Sequence, residues 1–306
     1  MRSMWGIMPA FLVQGAKIHL EKEYKKLKEF FRKLANEGGF FWRSLVYYPQ
    51  LPPLKAIHNG ILIPFIFENG KFDLEKFNNE YFLYFEELVK LSKQYNLIPI
   101  ISIMDFAQTR HPNQFKNAFI NPHLNKQNVT ILSGTKYWKK LARKITKILY
   151  KIMGNNFIIE ICNEPQYPDQ QRIGKWQSEI YEAIKNYNIM IYGGTEHVNM
   201  IDALCNTIKS KKEIVSFHLA ENDGIEKILE IIYSLKLNNI SISTDGMWPD
   251  VVDEDLYELA RTIFKAAHQN DLTILFEEQP KILWKETKHK GFHTNLEEIS
   301  IKQFNN

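Results

Sequence analysis

The sequence has little cysteine and no apolar run long enough to span a membrane. Its two cysteines, Cys162 and Cys205, cannot build a disulfide framework or a cysteine zinc site, so both are predicted to be reduced core residues. The modestly apolar first residues are interrupted by Gly6, Pro9 and Gln14, and no cleavage site of small residues follows. We therefore expect no membrane partner and no signal peptide, with the cytoplasm as the default location.

The sequence also lacks a strong excess of one charge and a glycine-rich phosphate-binding turn. Its 39 Lys and Arg against 35 Asp and Glu leave a net charge of +4, too small and too mixed to indicate a nucleic-acid partner. The most basic stretch, residues 136–151, alternates basic with apolar residues at helical spacing, which predicts a solvated helix face. Without a glycine-rich first turn, a doubly wound nucleotide-binding sheet is disfavoured.

Helical periodicity and strand-like apolar runs alternate along the whole chain, as in a parallel α/β fold. Eight strands are predicted, at residues 4–12, 40–48, 97–104, 157–162, 189–192, 213–219, 240–244 and 272–276. Seven helices are predicted between them, at residues 21–37, 74–95, 137–153, 171–186, 198–211, 224–235 and 253–269. This pattern predicts a (β/α)8 TIM barrel, with residues 1–306 forming a single domain.

Two connections in the first half are about twice as long as a minimal strand–helix unit. The additional residues, 49–73 and 106–135, follow the second and third strands, so they are predicted to be long loops on the catalytic face of the barrel. No internal repeat and no linker indicates a second domain.

The most informative stretch is residues 157–165, an apolar strand that ends in Asn163, Glu164 and Pro165. Barrels carry their chemistry where the strands end, so Asn163 and Glu164 occupy positions where function is expected. The other predicted strand ends supply mostly polar and acidic residues: Arg43, Asp105, Glu196, His197, His218, Asp245, Glu277 and Glu278. Paired carboxylates around a cleft suit acetal hydrolysis, which needs an acid for the leaving oxygen and an anion for the oxocarbenium-like centre.

The Glu-Ile-Cys-Asn-Glu-Pro segment resembles the acid/base motif of the cellulase-like (β/α)8 glycoside hydrolases, the clan that includes glycoside hydrolase family 5. Residues 63–105 are similar to that clan's path through its second helix into its third strand. The resemblance implies that Glu164 is the general acid/base, that Asn163 binds the sugar 2-hydroxyl, and that Arg43 supports the catalytic carboxylates. His218 matches a histidine that the clan often carries on its sixth strand.

The second half departs from the clan's pattern at catalytic positions. Ala220 stands where a tyrosine is typical, and the seventh strand leads to Asp245 where the clan has a glutamate nucleophile. Strand alternation directs Asp245 into the barrel mouth. Aspartate is one methylene shorter than glutamate, so its separation from Glu164 is compatible with either a retaining or an inverting hydrolase. Glu277 or Glu278 is another candidate second carboxylate, and alternation favours Glu277.

Several of these residues also have structural interpretations. Arg43 is equally suited to pair with Glu160, a carboxylate inside the fourth strand that needs a partner if it is buried. Asp245 precedes Gly246 and could form a turn, and Trp248 is either a sugar-stacking platform or a packing residue. Glu196 and His197 are better explained as helix caps, and His218 fits a structural role as well as a substrate-binding one.

Three functions follow. The first is a glycoside hydrolase that cleaves a β-linked polysaccharide or oligosaccharide, with Glu164 as acid/base and Asp245 as second carboxylate. This reaction would need no cofactor. The second is an inactive sugar-binding barrel that has lost its nucleophile. The third is a metal-dependent hydrolase using His111, His197, His218 and Asp245, but no His-x-x-x-His spacing supports it and no metal is expected. The sugar, the linkage and the oligomeric state are not encoded in these patterns.

Overall fold

The computed structural model describes residues 5–7, 20–21, 24–36, 41–46, 62–105, 122–163, 170–192, 214–218, 240–243 and 273–276. The strands within these residues are β1 (Trp5–Ile7), β2 (Phe41–Leu45), β3 (Phe65–Glu68), β4 (Lys71–Phe77), β5 (Ile98–Asp105), β6 (Ile158–Asn163), β7 (Ile189–Tyr192), β8 (Ile214–His218), β9 (Ile240–Ser243) and β10 (Thr273–Phe276). The helices are α1 (Tyr24–Asn36), α2 (Asn79–Gln94), α3 (Thr135–Met153) and α4 (Gln170–Ile184).

Eight of the strands form one parallel sheet. They pair in the order β1, β2, β5, β6, β7, β8, β9 and β10, and β10 pairs back to β1, so the strands close into a barrel. Each of the eight overlaps one of the predicted strands. The predicted α/β class is therefore confirmed, while the predicted helices at 198–211, 224–235 and 253–269 lie outside the described residues.

Strand β6 shows why the sequence segments that form the barrel strands are so apolar. All six of its residues are buried, as expected for a parallel strand with the barrel interior on one face and helices on the other. The outward-facing Ile159 and Ile161 belong to the large core between the strands and the helices, whereas Ile158 joins a separate small cluster with Phe41 and Ile100. The barrel interior is therefore distinct from the outer core.

The surrounding helices are amphipathic. Helix α3 buries Trp138, Leu141 and Ile145, and it leaves Arg143 and Lys147 exposed. The basic side chains within residues 136–151 therefore lie on the solvated face that the sequence predicts. No helix in the described parts of the chain is long and apolar enough to cross a membrane.

The predicted helix at residues 74–95 is wrong at its beginning. Helix α2 begins at Asn79, and residues before it form β4, which pairs antiparallel with β3 in a hairpin. The turn between them is Asn69-Gly70, and both residues have positive φ angles, 51° and 77°. Two positive φ angles are what a type I′ hairpin turn requires, and Asn-Gly is its preferred sequence.

The hairpin lies against the beginnings of α2 and α3. The ring centroids of Phe65 and Trp138 are 5.9 Å apart, and those of Phe77 and Phe82 are 5.4 Å apart. In a parallel α/β fold a helix begins near the C-terminal end of the preceding strand, so the hairpin is on the side where function is expected. Residues 49–73 were predicted to be loop, and their last part is instead β-structure.

The segment after β5 is joined to this hairpin by what we call the clip, formed by Phe72, Asp73, Leu74, Lys126 and Gln127. The Lys126 N–H donates to the Phe72 carbonyl at 2.8 Å, and the Leu74 N–H donates to Gln127 Oε1 at 2.9 Å. Gln127 Nε2 and Lys126 Nζ donate to the two oxygens of Asp73 at 2.9 and 3.3 Å. The two predicted long connections therefore contact one another.

Candidate functional site

The candidate site lies at the C-terminal ends of β2, β5 and β6, which are neighbours in the barrel. Their register places Arg43 level with Ile100, and Ile100 level with Ile158. The buried cluster of Phe41, Ile100 and Ile158 fills the barrel interior at this level. Polar side chains then follow on the same strands towards their C-terminal ends, so an apolar floor supports a polar layer.

Arg43 and Glu160 form an ion pair inside the barrel. Arg43 Nε donates to Glu160 Oε2 at 2.8 Å, and Nη2 donates to Oε1 at 2.9 Å. Neither side chain has any solvent exposure. Nη2 is also 2.7 Å from Oε2, so two guanidinium nitrogens contact both carboxylate oxygens. Lysine has a single ammonium nitrogen and cannot make this contact from two nitrogens. The sequence-based interpretation of Arg43 as a partner for Glu160 is therefore confirmed.

Arg43 also contacts Asn163, the last residue of β6. Its Nη2 donates to Asn163 Oδ1 at 2.5 Å, and Asn163 is 5% exposed. The two hydrogens of Nη2 are thus divided between Glu160 and Asn163. Arg43 was predicted to serve either the candidate site or Glu160, and it contacts both.

The side-chain pattern of β6 changes between Glu160 and Asn163. Residues three apart in a regular strand point to opposite faces of the sheet. Both of these side chains nevertheless reach one guanidinium group. The end of β6 therefore turns Asn163 towards the interior, which alternation alone does not predict.

Asp105 and His218 are placed by their backbones. Asp105 ends β5 as the register partner of Asn163, and His218 ends β8 as the register partner of Ser243. Both are therefore at the C-terminal edge of the barrel, as predicted. Their side chains are outside what the structure describes.

The remaining predicted site residues lie outside the described residues. Glu164 immediately follows Asn163, Asp245 comes two residues after Ser243, and Glu277 immediately follows Phe276. Trp248 is also outside the described ranges, as are Glu196, His197, Glu278 and His111. Their roles remain predictions.

Within the described ranges, no three His, Cys, Asp or Glu side chains come close enough together to hold a metal ion. Three members of the set considered for a metal-dependent hydrolase, His111, His197 and Asp245, are not among those residues. In the part of the chain that the structure describes, the polar layer includes the Arg43 cation, the Glu160 anion, the Asn163 amide and the hydroxyl of Ser102, which is the register partner of Glu160. These buried side chains can hold hydrogen-bond donors and acceptors in fixed directions next to the residues that follow the strand ends.

The sequence analysis did not predict that Arg43 contacts both Asn163 and Glu160 in one hydrogen-bond network. The available signal was a charged residue, Glu160, within an otherwise apolar strand. A buried carboxylate needs a cationic partner, and Arg43 is the cation on the interior face of a nearby strand. The extension of the network to Asn163 depends on the local turn of the strand end, which has no signature in the sequence.

No protein-family model matches the sequence, and no curated protein sequence matches it. Solved structures do match. A broad-specificity endoglucanase of glycoside hydrolase family 5, subfamily 4, from Clostridium longisporum superimposes with a TM-score of 0.65 at 14% identity, over 99% of this chain and 96% of that one.

Two trimodular enzymes are also similar. A subfamily 4 endoglucanase gives a TM-score of 0.68 at 10% identity, over 99% of this chain. A Bacillus licheniformis endo-β-1,4-glucanase complexed with cellotetraose gives 0.63 at 11% identity, also over 99%. This chain spans only 60% and 59% of those two proteins. At these identities the likeness is one of fold, and the chain has the fold of the cellulase-like clan that includes glycoside hydrolase family 5.

Proposed function

We propose that this protein is a glycoside hydrolase that cleaves O-glycosidic bonds in a β-linked polysaccharide or oligosaccharide. Its chain forms a complete (β/α)8 barrel as a single domain. Glu164 is the general acid/base, and Asp245 is the second carboxylate. Asn163, Asp105, His218 and Trp248 surround the substrate, and the buried Arg43 supports the site from inside the barrel.

The observation that carries this proposal is the contact between Arg43 and Asn163. It holds the last residue of β6 in the barrel interior, directly before Glu164 in the sequence. A hydrolase of this type needs a rigid support for its acid/base, because the proton must reach the leaving oxygen in a fixed geometry. A bidentate ion pair with no solvent exposure gives Asn163 such a support.

The backbone registers also favour Asp245 as the second carboxylate. His218 and Ser243 are register partners on β8 and β9, and Asp245 is two residues further along the chain. Parallel strands in a barrel direct the residues beyond their C-terminal ends towards a common mouth. Glu164 and Asp245 thus follow strands whose ends border the same edge of the barrel. Glu277, immediately after β10, is the competing candidate.

The similar solved structures support the choice of the first substrates. The fold likeness includes an endo-β-1,4-glucanase solved with cellotetraose, which makes soluble β-1,4-glucans the first substrates to assay. Cello-oligosaccharides and other β-linked glycans should be compared by the release of reducing ends. We expect turnover of at least one β-linked glycan in the absence of any added cofactor.

Variants identify the catalytic groups. We expect Glu164→Gln to lower kcat on an unactivated glycan by about 10²- to 10⁴-fold. It should lose much less activity on an aryl glycoside whose phenolate leaves without protonation. Asp245→Asn should lose activity on both kinds of substrate, because the anion is needed whatever the leaving group.

Exposed Glu182 on α4, paired with Lys185, provides the matched control. Glu182→Gln removes a carboxylate without touching the barrel interior, so its activity should equal that of the unaltered protein. If Asp245→Asn keeps full hydrolytic activity and Glu277→Gln loses it, Glu277 is the second carboxylate. Saturable binding of oligosaccharides with no turnover would overturn the proposal and identify a sugar-binding barrel.

A further inference from the structure

Among the described residues, three exposed asparagines have backbone φ angles in the left-handed region. They are Asn69 at 51°, Asn96 at 57° and Asn128 at 52°. An exposed asparagine can deamidate without an enzyme, when the backbone nitrogen of the next residue attacks its side-chain amide carbon. The next residue therefore decides which of the three asparagines reacts.

The nitrogens that follow Asn96 and Asn128 are both held in hydrogen bonds. The Leu97 N–H donates to a backbone carbonyl at 3.3 Å, and the Val129 N–H donates to an asparagine side chain at 3.1 Å. Leucine and valine also carry branched side chains close to the nitrogen that would have to attack. Both positions are therefore protected against deamidation.

The nitrogen that follows Asn69 is open by comparison. Gly70 has no side chain, and apart from its chain neighbours no atom lies within 4 Å of the place where a Cβ would stand. The hairpin ladder pairs Glu68 with Lys71, so the Gly70 N–H lies in the loop between them and has no hydrogen-bond acceptor within the described ranges. Residues 68–71 are all exposed, so water and hydroxide reach the turn.

We propose that Asn69 is a deamidation site whose rate is set by opening of the hairpin turn. The Gly70 nitrogen gives its proton to hydroxide and bonds to Cγ of Asn69, and the side-chain nitrogen takes a proton from water and leaves as ammonia. Water then opens the five-membered succinimide at either carbonyl, so ammonia is exchanged for water and aspartate or isoaspartate is formed. Ring closure requires rotation of ψ at Asn69 away from its type I′ value, so the folded turn slows the reaction.

The two products differ in their effect on the hairpin. Aspartate keeps the turn, because Asp-Gly is also a preferred type I′ sequence. Isoaspartate adds a carbon to the backbone, so the two-residue loop no longer matches the register that pairs Glu68 with Lys71. The isoaspartate form therefore loosens the hairpin that carries the clip. None of these steps depends on the hydrolase function.

Peptide mapping of the full-length protein after incubation in mildly alkaline buffer tests the proposal. Digestion after acidic residues cuts behind Glu68 and separates Asn69 from the sequence's other Asn-Gly pair, at 59–60, which lies outside the described residues. We expect the Asn69 amide to be lost while those of Asn96 and Asn128 persist, and the loss to be faster in the urea-unfolded chain. An Asn69 amide that persists in the folded protein would overturn the site. Equal rates in folded and unfolded chains would overturn the control by the turn.

Two variants complete the test. Asn69→Asp supplies the aspartate product as a chromatographic standard, and Asn128→Asp is the matched control, in which the loss at Asn69 should be unchanged. Amide hydrogen exchange at Leu74, whose N–H belongs to the clip, should be faster in the isoaspartate fraction of the aged protein than in Asn69→Asp. Equal exchange in these two proteins would overturn the loosening of the hairpin.

Discussion

Arg43 and Glu160 are 117 residues apart in the chain and form a two-bond ion pair with no solvent exposure. The pair joins β2 to β6 across the intervening β5, since β2 pairs with β5 and β5 with β6. Burying two charges is costly, and an apolar pair of similar volume would fill the same space without this cost. The presence of the pair in the polar layer of the candidate site therefore indicates a functional requirement more than a contribution to stability.

This interpretation predicts how stability and activity respond to the pair. Arg43→Ala should destabilise the fold by about 3–5 kcal/mol, because it leaves Glu160 buried without a cation. Arg43→Met combined with Glu160→Leu should be more stable than either single variant, while hydrolytic activity is lost. Urea denaturation followed by tryptophan fluorescence measures the first effect. A double variant less stable than both singles would contradict the argument.

Much of the barrel could be predicted because its strands are buried on both faces. Runs such as residues 98–104 and 157–162 contain mostly Ile, Met and Phe, and continuous burial leaves little other choice. The structure extends β5 to Asp105 and β6 to Asn163, one residue beyond each prediction. Those added residues are polar, so hydropathy alone ends the strands too early.

The hairpin was missed because two periodicities overlap. Leu74, Phe77, Tyr81 and Phe85 are spaced three or four residues apart, which matches a helix. The decisive signal was local, in the Asn69-Gly70 turn, and it outweighs the helical spacing because both residues adopt positive φ. An Asn-Gly pair between apolar runs predicts a hairpin before periodicity is considered.

The candidate site was predictable residue by residue but not as a network. The burial rule that charges need partners identifies Arg43 with Glu160. The place of Asn163 depends on the three-dimensional path of the end of β6, where side chains three residues apart meet the same guanidinium. Spacing along the sequence carries no information about such a turn.

A second buried polar contact provides a prediction on the outer face of the barrel. Trp42 Nε1 donates to Ser92 Oγ at 2.6 Å, and this hydroxyl donates to the Leu97 carbonyl at 3.0 Å. Ser92→Ala leaves the indole N–H buried without its acceptor, so we expect a loss of about 1–3 kcal/mol in the free energy of unfolding. Chemical denaturation measures it.

Thr146 on α3 offers the comparison for that variant. Its hydroxyl is also buried, but it donates to the Ala142 carbonyl of its own helix. Thr146→Val removes this donor and leaves no buried N–H without an acceptor, so its cost should stay below about 1 kcal/mol. If the two variants cost the same, the orphaned indole N–H is not the cause of the loss at Ser92.

The clip predicts a local dependence on pH. Burial raises the pKa of Asp73, but hydrogen bonds from Gln127, the Glu75 N–H and Lys126 outweigh it and hold the pKa below its ordinary value. A lowered pKa in the folded state means that the ionised carboxylate stabilises the clip above the ordinary pKa, which is about 3.9. This contribution is lost as the pH falls through the folded-state value.

Hydrogen exchange tests that dependence at the two backbone amides of the clip, Leu74 and Lys126. We expect their protection factors to decrease below about pH 4, as local opening becomes easier. Asp73→Asn keeps an oxygen for Gln127 but has no charge, so the decrease should become smaller. Glu68 also pairs with Lys126, which lowers the pKa of Glu68, so a weaker dependence should persist. The same pH profile in both proteins would exclude Asp73 as its source.

The correct beginning of α2 makes a prediction about Asn78. Its Oδ1 accepts hydrogen bonds from the Glu80 and Tyr81 N–H groups at 3.1 and 3.5 Å, which caps the helix where β4 has just ended. Asn78→Ala should destabilise the fold by about 0.5–2 kcal/mol, whereas Asn78→Asp keeps the acceptor and adds a favourable charge at the helix N-terminus. Asn79→Ala, one residue later, removes no capping oxygen and serves as the control. Thermal unfolding should give Asn78→Ala the lowest midpoint of the three variants, because it alone lacks the capping oxygen. If the helix began near Leu74, Asn78 would lie in its interior, where alanine is the better residue, and Asn78→Ala would be stabilising.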